Sequence, residues 1–237
     1  MTAKRPGLLN RYFYFFMSLL IAVTVIYGFG HTINDNLLHA VVPRPWLLSL
    51  HACIFSGWVL FLILQSALVR THHVGLHRTL GWFGAALGAS MPIVGIATAI
   101  AMARFKIQQL HAPVQATEDF IIVPLWDISC FTVAFTLAIL WRRKPEFHRR
   151  LILVATCALM AAAFGRFPLQ ILPGNTFYAG VDALIVLGVV RDLVVDRRIH
   201  KVYVYALPIF IVGQIVVVQI MTRQPAFWTR IAYAIVG

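Results

Sequence analysis

Five polar or ionisable side chains lie within long apolar stretches of this chain, where each needs a physical reason. They are His51, Gln65, Asp127, Arg166 and Asp182. A charge at the centre of a bilayer costs about 2.5–3.5 kcal/mol, so such groups face a protein interior and often mark a ligand or proton site. We interpret them as a polar pocket for a small ligand, an ion or a proton. The alternative is a structural ion pair of Arg166 with one of the two aspartates.

A second group, rich in histidine and arginine, lies in the short basic segments between the apolar stretches. Arginine favours phosphate, so Arg78, Arg149 and Arg150 are predicted to contact anionic lipid head groups. His77 and His148 are also candidate ligands for a b-type haem, because that cofactor needs two imidazoles from facing helices. The sequence leaves both interpretations open.

Motifs for other chemistries are missing from the sequence. It contains no H-E-x-x-H signature, no phosphate-binding glycine loop and no nucleophile elbow, so no metal site is predicted. The three cysteines lie in apolar stretches and form no C-x-x-C pair. We interpret them as small, buried hydrophobic side chains.

Composition and charge place the chain in a membrane. Hydrophobic residues make up 60% of it and charged residues 12%, about half the 25% charged residues typical of a soluble domain. The net charge of +12 is concentrated in short clusters between apolar stretches. That is the positive-inside pattern of a membrane protein, and it argues against a nucleic-acid partner.

The apolar stretches predict an all-α, polytopic protein with a bundle of seven transmembrane helices in one domain, residues 1–237. Each stretch is long enough to cross the hydrocarbon core, whereas 227–237 is predicted to be an interfacial tail. The predicted spans are 12–30, 46–69, 79–103, 120–141, 151–167, 177–195 and 202–221. Lysine and arginine favour alternate loops, which predicts a cytoplasmic N-terminus and an outside C-terminus. In this orientation His51, Asp127, Arg166 and Asp182 are predicted to lie in the outer half of the membrane.

Two neighbouring spans should form a hairpin at the centre of the bundle. His51, Trp58 and Gln65 recur every seven residues, so they share one helix face, which we expect to face the protein interior. The next span carries small residues typical of close helix packing in membranes. These are Gly81, Gly84, Gly88 and Gly95.

The segment that joins these two spans carries a family resemblance. Gln65 followed by His77-Arg-Thr-Leu-Gly81 resembles a class of uncharacterised bacterial inner-membrane proteins in which an H-R-x-L-G box opens a membrane helix. The resemblance implies a bacterial inner membrane and a helical bundle, but no activity. Histidines near helix ends are also distantly similar to cytochrome b561-type bundles.

Three functions are compatible with these observations. The first is a membrane protein with an outward-facing polar pocket for a small ligand, an ion or a proton. The second is a haem b electron-transfer protein, and the third is a structural subunit of a larger membrane complex. The expected partners are the lipid bilayer, its anionic phospholipids at the cytoplasmic face, and further copies or subunits.

Overall fold

The computed structural model describes residues 7–173 and 176–237, and all the regular structure in these ranges is helical. A π-helical turn, Asn34–Leu38, lies between the first two helices. The α-helices are α1 Leu8–Gly30, α2 Trp46–Arg70, α3 Val74–Leu110, α4 Val114–Asp119, α5 Ile122–Leu140, α6 Pro145–Ala158, α7 Ala161–Phe164, α8 Phe177–Val195, α9 Lys201–Arg223 and α10 Ala226–Val236.

Six helical segments of the described chain are long and apolar enough to cross a membrane, which confirms the all-helical, multi-pass prediction. They are Arg11–Gly30, Trp46–Arg70, Val74–Leu110, Val114–Leu140, Pro145–Phe164 and Lys201–Arg223. The predicted span 177–195 forms α8, which is not among the six. It carries three charged residues, Asp182, Arg191 and Asp192.

Contacts between distant parts of the chain define two ends of the bundle. At one end, Arg149 of α6 lies over the ring of Tyr14 in α1, and His200, just before α9, packs on Phe147. We call this the basic end; it carries the loops at 71–73, 141–144 and 196–200. At the opposite, C-terminal end, Arg104 of α3 donates to the carbonyl of Val236 over 2.7 Å.

Helix α10 packs on α3 and α4 at the C-terminal end. Trp228 is buried, and its indole N–H donates to the backbone carbonyl of Asp119 over 3.1 Å. The hydroxyl of Thr229 donates to the Asp119 carboxylate over 3.2 Å. The segment predicted as an interfacial tail is therefore a helix held to the rest of the protein by specific hydrogen bonds.

The core between α2, α5 and α6 is aromatic. Phe131 and Phe135 stack in parallel at 5.4 Å between ring centres, and Trp58 meets both rings edge-on. The indole N–H of Trp58 donates to the hydroxyl of Thr156 over 3.2 Å. Because Trp58 is buried, the seven-residue stripe of α2 faces the interior at its midpoint, as predicted.

The small residues of α3 leave room for aromatic rings. A Cβ atom on Gly88 would overlap the ring of Phe135, and one on Gly84 would overlap Phe61, whereas one on Gly81 would meet no atom within 4 Å. The closest backbone approach lies elsewhere, where a Cβ on Gly28 of α1 would meet the carbonyl of Ala163. Gly84 and Gly88 of α3 thus make room for side chains of neighbouring helices rather than for their backbones.

Candidate functional site

The structure brings His77 and His148 together at the basic end. Each lies in the first turn of its helix, α3 or α6, and the two ring centres are 6.4 Å apart with their planes at 73°. The juxtaposition depends on α6 beginning at Pro145, whose fixed φ suits the first position of a helix. This start places His148 one turn into α6, beside the first turn of α3.

One nitrogen of the His148 ring is held by the protein backbone and the other is available. Nδ1 lies 2.9 Å from the carbonyl oxygen of Ala138. A carbonyl only accepts, so Nδ1 carries the proton and Nε2 has a free lone pair when the ring is neutral. This is the arrangement by which proteins orient a histidine for metal binding.

His77 and the neighbouring residue Gln65 each carry unpartnered polar side-chain atoms. The ring of His77 lies against the backbone carbonyl of Gln65, and its buried Nδ1 has no hydrogen-bond partner. The side-chain amide of Gln65 is buried as well, and neither its oxygen nor its nitrogen has a partner. Leaving a buried polar group unsatisfied costs about 1–3 kcal/mol, so such groups call for an explanation.

The other basic-loop histidines do not join this pair. His72 and His73 are exposed, and Nδ1 of His73 is hydrogen-bonded to the hydroxyl of Thr71 over 2.9 Å. Arg78, predicted to contact lipid head groups, is exposed beside His77. The histidine pair therefore borders the surface of the basic end.

A network of buried ion pairs links α6 to α8 and was not recognised in the sequence. Arg150 binds Asp192 with two nitrogens, at 2.6 and 2.9 Å, and Asp196 at 2.9 Å. Arg191 contacts the same two carboxylates at 2.9 and 2.6 Å. Glu146 completes the set at 2.6 Å from Arg150. The signal in the sequence was the charged group Arg191, Asp192 and Asp196 at the end of a predicted span.

This network changes the interpretation of the arginines in α6. Arg150 is 1% exposed, so it has no surface with which to contact a lipid head group, contrary to the expectation. Arg149 is partly exposed, pairs with Glu146 at 2.6 Å and lies over the ring of Tyr14. Burial and charge pairing thus separate two adjacent arginines that look equivalent in the sequence.

His200 connects the network to α9. Its backbone N–H donates to Asp192 over 3.2 Å, and its Nδ1 accepts the N–H of Val202 in the first turn of α9. Burial, together with the nearby Arg150 guanidinium, lowers the pKa of His200 from its ordinary value. The ring therefore acts as a neutral helix cap.

The residues predicted to form one outward-facing pocket lie in separate surroundings. Asp127 is buried and accepts a hydrogen bond from the hydroxyl of Tyr178 over 3.1 Å. Arg166 is exposed, donates to the carbonyl of Ala162 and lies 4.3 Å from the ring centre of Phe29. Among the described residues Arg166 forms no ion pair with an aspartate, so the predicted pairing is not formed.

The two remaining members of that set each keep an unpartnered atom. His51 stacks on Phe55 at 3.9 Å between ring centres, and its buried Nδ1 has no hydrogen-bond partner. Asp182 lies beside Gln214 of α9, and its buried Oδ1 has no partner either. Arg166 lies within electrostatic range of His51. No contact among the described residues joins His51 to either aspartate.

None of the family models, characterised proteins or solved structures compared with this chain matches it. The resemblance carried by the H-R-x-L-G box therefore remains a hypothesis about the chain.

Proposed function

We propose that this membrane protein binds one b-type haem between His77 and His148 and carries electrons at its basic end. The distance between the two rings is the observation that supports it. An imidazole nitrogen binds a first-row metal at about 2.0–2.1 Å, so two rings whose centres are about 6 Å apart would be close enough to hold one metal between them. The observed separation is 6.4 Å.

The number of available ligands favours haem over a bare ion. Zinc sites in proteins use three or four side chains, and the described residues contain no group of three histidine, cysteine or acidic side chains placed to hold a metal ion. A b-type haem would bring its own porphyrin ligands, and His77 and His148 would be the residues that hold its iron. Two histidines are therefore sufficient for haem and insufficient for a zinc site.

The neighbouring groups of this chain suit such a role. The Ala138 carbonyl orients His148 and increases the basicity of its free nitrogen. Gln65, whose backbone lies against His77, carries a buried amide without a partner that is able to donate or accept a hydrogen bond. Exposed Arg78 would supply a cation for a carboxylate group of the haem at the protein surface. Bound haem would supply a one-electron couple.

We also propose that the chain crosses a bacterial inner membrane seven times, with the basic end in the cytoplasm. Helix α8 supports the seventh crossing, because it reaches from one end of the bundle to the other. Its Tyr178 contacts the first part of α5, near the C-terminal end, and its Asp192 contacts the first part of α6, at the basic end. Arg191 and Asp192 are buried in the ion-pair network, so they do not face lipid. The arginine-rich loops at the basic end support a cytoplasmic location.

The absorption spectrum of the purified protein tests the haem proposal. Protein made in haem-supplemented cells is expected to show a Soret band that is lost in His77→Ala and in His148→Ala. His72→Ala and His73→Ala are matched controls, since both side chains are exposed loop histidines, and they should keep the band. A colourless wild-type protein, or equal bands in all variants, would contradict the proposal.

The outward-facing pocket for a small ligand, an ion or a proton is the second candidate function. Buried, unpartnered Nδ1 of His51 and Oδ1 of Asp182 favour it. If these residues handle protons, liposomes that contain the wild-type protein are expected to acidify faster under an imposed pH gradient than liposomes that contain His51→Gln or Asp182→Asn. Identical rates in all three proteins would contradict proton handling at these positions.

A further inference from the structure

Three cations without an acidic partner lie near one another at the C-terminal end of the bundle. Arg44 precedes α2, Lys106 lies in the last turns of α3, and Arg166 follows α7. Arg44 lies 4.9 Å from the ring centre of Phe105, which is the residue before Lys106. Both Arg44 and Arg166 are within electrostatic range of Lys106. Among the described residues, no carboxylate forms an ion pair with any of the three.

The guanidinium group of Arg44 is only partly satisfied. Its Nη2 donates to the side-chain oxygen of Asn36 over 3.2 Å. Its Nε and Nη1 are buried and have no hydrogen-bond partner. Unsatisfied donors on a charged group cost more than neutral ones, and neighbouring positive charges add repulsion. A bound anion would relieve both costs at once.

The chemistry of these groups indicates the class of ligand. Arginine presents a planar fork of N–H donors that matches the oxygens of phosphate and carboxylate, and lysine adds a flexible point charge. Clefts lined by one sign of charge concentrate ions of the opposite sign. The ammonium group of Lys106 makes no hydrogen bond to the described residues, and the residue is exposed, so this group is available to a ligand arriving from solvent or from the membrane surface.

We propose that Arg44, Lys106 and Arg166 form an oxyanion-binding site for a phosphate or carboxylate group at the C-terminal end. The group belongs either to a phospholipid head group or to a small soluble anion. The site deepens the second candidate function, with which it shares Arg166, and it does not depend on haem at the histidine pair.

Thermal unfolding of the purified full-length protein in detergent tests this site at constant ionic strength. Inorganic phosphate is titrated in one arm and phosphatidylglycerol in the other, with phosphatidylcholine as the neutral control. We expect a saturable rise in Tm with phosphate if the site takes a soluble anion, or with phosphatidylglycerol alone if it takes a head group. No saturable rise in either arm would overturn the proposal.

Substitutions then locate the effect. Lys106→Gln, which removes an exposed charge, and Arg44→Ala are expected to weaken the binding by about ten-fold, or roughly 1.4 kcal/mol. Arg230→Ala removes an exposed cation of α10 whose side chain forms no hydrogen bond or ion pair within the described part of the chain, and should leave the binding unchanged. Equal effects of Lys106→Gln and Arg230→Ala would overturn the proposal even if Arg44→Ala fails to fold. His77→Ala should retain anion binding, which separates this test from that of the haem site.

Discussion

At the scale of single residues, Arg150 is a buried cation surrounded by carboxylates. Removing a charge from water costs several kcal/mol, and the cost is offset only when excellent geometry satisfies its donors. Arg150 meets this requirement through contacts with Asp192, Asp196 and Glu146. Because His148 lies two residues earlier in the same helix, the ion pairs also hold that histidine in place.

Removing Arg150 should therefore be far more costly than removing its neighbour. Arg150→Ala leaves buried Asp192 with Arg191 as its remaining cation, and is expected to lower the free energy of unfolding by up to about 3–5 kcal/mol. Arg149→Ala loses a partly exposed pair and should cost less than about 1 kcal/mol. Unfolding of both variants in SDS titrations measures the difference, and losses of equal size would contradict the buried network.

His200 should make stability depend on pH. Its folded pKa is lowered, whereas the unfolded side chain titrates near about 6.5. Protonation thus favours the unfolded chain, so the contribution is complete above the unfolded pKa and is lost as the pH falls towards the folded pKa. Asparagine keeps a capping oxygen without titrating, so wild type should lose more stability than His200→Asn between about pH 7.5 and 5.5. Parallel losses in the two proteins would exclude His200 as the cause.

At the scale of elements, the sequence predicts helix faces better than it predicts what fills them. The stripe through Trp58 does face the interior, because a period of seven keeps residues on one side of a helix. Glycine spacing also identified Gly88 as a packing position. It could not distinguish Gly88 from Gly81, since the distinction depends on where Phe135 of another helix lies.

These two glycines of α3 form a matched pair for a test. In Gly88→Ala the new methyl group would overlap the buried ring of Phe135, and overpacking of this kind costs about 1–3 kcal/mol. Gly81→Ala meets open space and should be neutral or stabilising by up to about 1 kcal/mol through helix propensity. Free energies of unfolding from SDS titrations separate the two, and a larger loss for Gly81→Ala would mean that α3 is oriented differently.

At the scale of the whole molecule, hydropathy predicts depth in the membrane but not position around the bundle. Hydropathy places His51, Asp127, Arg166 and Asp182 at similar depths, but it contains no information about which helices are neighbours. Residues at one depth can lie on opposite sides of a bundle, and for this reason the expected Arg166 ion pair is not formed. His77 and His148 do meet, because α3 and α6 both begin at the basic end and their first turns bring the two rings together.

The arrangement of the two ends also carries a prediction for topology. We expect a single cysteine introduced by Gly237→Cys to react with a membrane-impermeant maleimide in intact cells, because the proposed orientation puts the C-terminal end outside. Arg143→Cys, in a loop of the basic end, should react only after the cells are opened. Both are made with Cys53, Cys130 and Cys157 replaced by alanine. The reverse labelling pattern would contradict the proposed orientation.

The most direct test of the histidine pair is a titration of haem into the purified, haem-free protein, followed by its absorption spectrum. We expect saturation at one haem per chain, with the low-spin spectrum of iron bound by two imidazoles. The double variant His77→Ala/His148→Ala should give neither. Binding without saturation, or the same low-spin spectrum in the double variant, would show that these two histidines do not hold the haem.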